Sequence, residues 1–188
     1  MGRCSLNGGA RADSGETSRL LILIDGPAGA GKTTFGRSLA GGMVVPLVHL
    51  EDLYLGWTGL EGAFARLEEL VLRPWWEGRP ARFRAYDWLA DQPSGPWVEV
   101  PASDCLVVEG CGCAPRAADR YGPLIIWLDG PVQLRRARVL KRDGDWEAPL
   151  LDAWEQATAI HFQREDTANR ADFRWPQPRD PATSRGLT

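Results

Sequence analysis

The chain has 188 residues, 44% of them hydrophobic, which suits one domain with a sizeable core and leaves little room for two. A net charge of -3 argues against a nucleic-acid polymer as partner, because proteins that bind one carry a basic stripe or patch. There is no apolar span long enough for a membrane helix, and the opening M-G-R-C-S lacks the apolar stretch of a signal peptide, so a cytoplasmic protein without a membrane partner is expected.

In chain order, residues 1–18 are rich in Gly, Ser and Ala without periodicity and read as a disordered N-terminal segment. The folded domain is expected over 19–175, and residues 176–188, with three prolines among small polar residues, read as a disordered tail. Apolar runs at 20–24, 44–50, 105–108 and 124–128 are continuous rather than alternating, which predicts strands covered on both faces. Helical spacing predicts helices over 32–40, 60–72, 131–141 and 145–165, with Pro131 at a plausible first helical position. Such alternation predicts an α/β fold of three layers, a parallel sheet with helices on both faces, whose functional groups lie at the carboxyl ends of the strands. The four cysteines, Cys4, Cys105, Cys111 and Cys113, lack the C-x-x-C pairs of a zinc site and read as reduced thiols.

The first predicted strand runs into G-P-A-G-A-G-K-T, residues 26–33, which is the full G-x-x-x-x-G-K-[ST] pattern in the strand-to-helix setting it requires. Backbone amides of Gly26, Ala28, Gly29, Ala30, Gly31 and the following Thr34 region can face phosphates, Lys32 can reach the β and γ oxygens, and the Thr33 hydroxyl can serve Mg²⁺. ATP or GTP is therefore the expected nucleotide. Of the 22 basic residues only Lys32 and Lys141 are lysines, so the lysine in this loop looks required by geometry.

Chemistry must come from elsewhere in the chain. Glu51 and Asp52 stand at the end of the second predicted strand, where a hydroxyl proton acceptor and a partner for Mg²⁺ are needed; a solvated loop start is the plain alternative. Glu109, directly after the third strand, can hold Mg²⁺ itself or through water. Asp25 either orients the loop or ends its strand. Arg135, Arg138 and Arg142 fall on one helix face, as a stripe toward a transferring phosphate or as a solvated surface. His161 reads as structural.

Taken together these residues resemble the uridine kinase family of P-loop nucleoside kinases. The elements occur in the family's order: the loop, Glu51-Asp52-Leu53-Tyr54, Tyr86-Asp87-Trp88, and Glu109-Gly110 before an arginine-rich helix. The resemblance implies ATP and Mg²⁺ as cofactors and a nucleoside or nucleotide as the small-molecule substrate. It makes Glu51 the counterpart of the family's basic aspartate, with Asp52 as rival, and makes Tyr54, Tyr86 and Trp88 the nucleoside contacts. Arg135, Arg138 and Arg142 become a short lid that neutralises developing charge. The chain departs from the pattern at Glu51, at Leu53 and after Trp88, where Leu89-Ala90-Asp91-Gln92 replaces the usual histidine. Two other readings stay open: a cytidylate-type monophosphate kinase, for which Arg79, Arg82 and Arg84 would grip the substrate phosphate, and a nucleotide-binding module without small-molecule chemistry.

Overall fold

The computed structural model describes residues 19–144 and 148–176. Five parallel strands form its central sheet: β1 (Leu20–Asp25), β2 (Leu47–His49), β5 (Cys105–Glu109), β6 (Leu124–Asp129) and β7 (Phe173–Pro176), in the order β2-β5-β1-β6-β7. The continuous apolarity of β1 has its cause in two cores. Leu21 and Leu23 face one core with Leu106 and Val108, and Ile22 and Ile24 face the other with Val107, Ile126 and Leu128. Helix α1 (Lys32–Met43) packs on the second face through Ala40, with Phe35 and Leu39 at its margin. The first face is covered by α2 (Leu60–Leu67), which runs through a π turn at Glu68–Leu72 into α3 (Arg73–Trp76), and by α5 (Ala148–Glu165). Helix α4 (Val132–Asp143) and the short α6 (Thr167–Arg170) complete the set. This is the three-layer arrangement expected from the sequence, and no helix among the described residues is long and apolar enough to cross a membrane.

The departures have local causes. The expected strand over 44–50 shrinks to Leu47–His49 because α1 continues to Met43 and ends on Val44 in the left-handed conformation (φ 57°). At the other end Leu50 already belongs to a 3₁₀ turn, Leu50–Leu53, and this turn rather than the strand carries Glu51 and Asp52. The helix expected over 60–72 is continued by α3 through the π turn, whose Glu68 is buried and accepts from the Tyr121 hydroxyl at 2.8 Å and pairs with Arg120 at 3.1 Å. An antiparallel hairpin was not anticipated: β3 (Ala81–Arg84) pairs with β4 (Trp97–Val100), burying Ala81 and Phe83 while Arg82 and Arg84 face out. Nor was β7, which pairs in parallel with β6. Pro176, expected in the disordered tail over 176–188, ends β7; the rest of that tail, the disorder expected over 1–18 and the start of the fourth helix at 145–147 lie outside the described residues.

The phosphate-type loop is pressed against the neighbouring elements. A Cβ on Gly26 (φ 141°) would lie 1.9 Å from the Leu128 carbonyl oxygen, and one on Gly29 (φ 74°) 2.3 Å from that of Arg135. Gly26→Ala should therefore lose more than about 2 kcal/mol of stability. Gly41→Ala, inside α1 with nothing within 4 Å of the added carbon, should gain about 0.5–1 kcal/mol. Chemical denaturation of the two variants checks both signs.

Candidate functional site

Site residues gather where β1, β2 and β5 end. Asp25 closes β1 and is fully buried. Its Oδ1 accepts the amides of Gly26 (2.7 Å) and Gly112 (2.8 Å), and its Oδ2 that of Ala114 (2.9 Å). Burial raises its carboxyl above the usual range, although the three amides and Lys32 pull the other way. The loop and the segment after β5 are thus fastened to one carboxylate.

Lys32 opens α1 and is 7% exposed. Its Nζ donates to the Pro27 carbonyl at 2.9 Å and to Cys111 Sγ at 3.3 Å. Burial lowers its affinity for the proton, yet Cys111, Glu109 and Asp25 together hold the ammonium above its ordinary value. Next to it the Thr33 hydroxyl donates to Glu109 Oε1 at 3.1 Å. The same oxygen meets His49 Nδ1 at 2.6 Å, joining the last residue of β2 to the last of β5. A hydroxyl and a buried carboxylate side by side at the loop are hard oxygen donors of the kind Mg²⁺ takes from a protein, the remaining positions being filled by phosphate and water. Among the described residues no group of three His, Cys, Asp or Glu side chains could hold a metal unaided.

Glu51 is exposed and Asp52 half-buried in the turn after β2. Burial, then the neighbouring Glu51 and Glu109, raise the Asp52 carboxyl, with His49 pulling against them. The Tyr86 amide donates to the Asp52 carbonyl at 2.8 Å, bringing the Tyr86-Asp87-Trp88 segment to this turn. Five rings meet there edge to face. Tyr54 lies 5.0 Å from Trp154 and 6.4 Å from Trp88, while Trp88 lies 5.3 Å from Tyr86 and 5.5 Å from Trp57. Only Trp88, at 42%, is well exposed.

On α4, Arg135 is buried and donates to the carbonyls of Gly130 and Ala28, each at 3.1 Å, and Arg138 donates to the Gly29 carbonyl at 3.2 Å. Arg142 pairs bidentately with Asp143 at 2.6 Å and is near enough to Glu51 to feel its charge. Two of the three arginines of the expected stripe, Arg135 and Arg138, therefore face the loop.

Most of the residues singled out from the sequence converge, with two qualifications. The Tyr54 hydroxyl is buried and donates to the Cys111 carbonyl at 2.8 Å, so the phenol is committed to the backbone. Arg84 is not brought to the cluster: it donates to the carbonyls of Ser94 (3.3 Å) and Gly95 (2.9 Å) and lies over Trp97 on the outer face of the hairpin. Sequence reasoning did not assign His49, Cys111, Trp57, Asp91 or Trp154. Asp91 takes the Tyr86 hydroxyl, and Trp154 bonds to Cys111 through its side chain. For His49 a signal existed, since it adjoins the acidic pair; the others are joined only by folding.

No family model matches the chain, and no curated protein matches it. Solved structures do. A Bacillus stearothermophilus protein described as a possible uridine kinase is 19% identical, with 88% of this chain and 91% of that one covered at a TM-score of 0.58. Shikimate kinase from Acinetobacter baumannii is 15% identical, with 89% of each chain covered at a TM-score of 0.50. The chain has the fold of P-loop kinases.

The His49–Glu109 contact has a pH signature. The imidazole is raised above its ordinary 6.5 by the Glu109 hydrogen bond first, so its contribution to stability is complete below about pH 6.5 and fades as pH rises through the higher folded value. His49→Gln, compared with the unmodified protein without nucleotide or Mg²⁺, should lose more stability at about pH 5.5 than at about pH 9, read by denaturant midpoints.

Proposed function

We propose that this chain is an ATP- and Mg²⁺-dependent small-molecule kinase that moves a γ-phosphoryl group to an alcohol, a nucleoside 5′-hydroxyl foremost. One observation carries the reading: the loop threonine meets Glu109 and the loop lysine meets Cys111, and the acidic turn with its aromatic cluster is joined to the same segment through the Tyr54 hydroxyl on the Cys111 carbonyl. The loop amides of Gly26 to Gly31 and Thr34 with the Lys32 ammonium hold the nucleotide phosphates, and Thr33 with Glu109 hold Mg²⁺. The bound ion would supply charge neutralisation on the phosphates. Trp88 and Tyr86 offer a ring to a planar acceptor, with Tyr54 packed beneath. Arg135 and Arg138 brace the loop, and Arg142, at the far end of α4, is the lid cation with a path to the developing charge.

The acceptor's proton falls to the acidic pair. Asp52 is the better base, because its raised carboxyl lies nearer neutrality than an ordinary aspartate. A hydroxyl suits the site better than a monophosphate does. The arginines that a second phosphate would need are engaged elsewhere: Arg79 with Glu77, Arg82 with Glu99 and Trp97, and Arg84 with two carbonyls.

An ADP-release screen across nucleosides, nucleoside monophosphates and sugars tests the reading. Lys32→Ala should reduce turnover at least about a hundredfold while the protein stays folded. Asp52→Asn should lower kcat about a hundredfold and Glu51→Gln less than about tenfold. The reverse ranking would move the base to Glu51, and no ADP release with any acceptor would refute the kinase assignment.

A further inference from the structure

Cys111 is a buried nucleophile that the proposed chemistry does not use, yet it stands at the centre of the site. Its Sγ takes a hydrogen bond from Lys32 Nζ at 3.3 Å and another from the Trp154 side chain, and its carbonyl takes the Tyr54 hydroxyl at 2.8 Å. It thus touches the phosphate-binding lysine on one side and the aromatic cluster on the other. From these contacts we propose that Cys111 is a positioning residue for Lys32: its sulfur is a weak acceptor that holds the ammonium ready for nucleotide phosphate. The proposal rests on the kinase reading above.

The argument starts from the ammonium's surroundings. A buried ammonium needs acceptors, and Pro27 supplies only one. Of the carboxylates whose charge it feels, Asp25 is engaged through both oxygens and Glu109 through Oε1. Asp25 accepts three amides, and Glu109 Oε1 accepts Thr33 and meets His49. Were Lys32 to close on either one, it would form a buried ion pair that phosphate would then have to break. Thiol sulfur holds it more loosely. A phosphate oxygen, being charged, is the stronger acceptor and can draw the ammonium away. The backbone sets this geometry. Gly110 (φ 147°) and Gly112 (φ 78°) flank Cys111, and the Asp25 bond to the Gly112 amide fixes the turn that aims the side chain at the loop.

The test is the dissociation constant of a non-hydrolysable ATP analogue with Mg²⁺, measured by calorimetry on Cys111→Ser, Cys111→Val and Cys111→Ala. Ser keeps an acceptor, whereas Val fills the space without one and Ala, the smaller, serves where Val does not fold. Val or Ala should weaken binding about tenfold, and Ser should stay within about threefold of the unmodified protein. Val or Ala binding as tightly as the unmodified protein would overturn the inference, and so would Ser binding as weakly as Ala, because space-filling rather than hydrogen bonding would then decide. If the unmodified protein binds no analogue, the kinase reading fails first.

Discussion

A carboxylate without exposed surface holds this site together. Asp25 ends the central strand at the point where two loops leave the sheet, and its oxygens accept amides from both, Gly26 on one side and Gly112 and Ala114 on the other. Taking such a charge out of water costs several kcal/mol, and several charge-assisted bonds offset it only when all are in place. That makes the arrangement cooperative. With Gly112 fixed, Cys111 must lie beside Lys32; with Gly110 fixed, the turn carrying Glu51 and Asp52 is set as well, since a side chain at 110 would come within 2.5 Å of Leu50 Cβ. One buried acid therefore relates the glycine-rich loop to the segment after β5, and through it to the acidic turn.

Charge is unevenly shared between those halves. Lys32 lies among Asp25, Glu109 and the sulfur of Cys111, while Asp52 feels two other carboxylates. Nearby arginines do not simply cancel this excess. Arg135 and Arg138 donate to the carbonyls of Ala28 and Gly29, so those oxygens point toward α4 and not into the loop's concave side. Cations on α4 thereby act on the loop through backbone orientation as well as through net charge.

How much of this was legible before folding depends on the kind of signal. The strands at 20–25, 105–109 and 124–129 announce themselves because both faces are buried, and Lys32, Thr33 and Glu109 because their chemical types stand at strand ends beside a loop of fixed pattern. The hairpin carried a fainter mark, the period-two alternation of A-R-F-R against W-V-E-V, too short to stand out among longer apolar runs. Nothing local marks β7, whose Phe173 and Trp175 remain mostly exposed. Cys111 and Trp154 owe their importance to partners distant in sequence, 79 residues away in the case of Lys32, and no spacing rule reaches that far. Tyr54 shows the opposite failure: the right residue type at the expected place, with its hydroxyl drawn into the backbone.

The division of labour between the two kinds of cation follows from shape. Lys32 is reached from different directions by a carbonyl and a sulfur, and an ammonium on a flexible stem can satisfy both while keeping a third donor. A guanidinium in that space would bring five donors fixed in a plane, and those without acceptors would be buried unpaired. Arg135 shows the converse. Its Nε and Nη1 serve carbonyls of two different segments, Gly130 and Ala28, at the same distance of 3.1 Å, a fork that one ammonium could not span. A chain so rich in arginine keeps a lysine where a carbonyl and a sulfur are met by a movable point charge, and uses arginine where two stretches of backbone are held at a set separation.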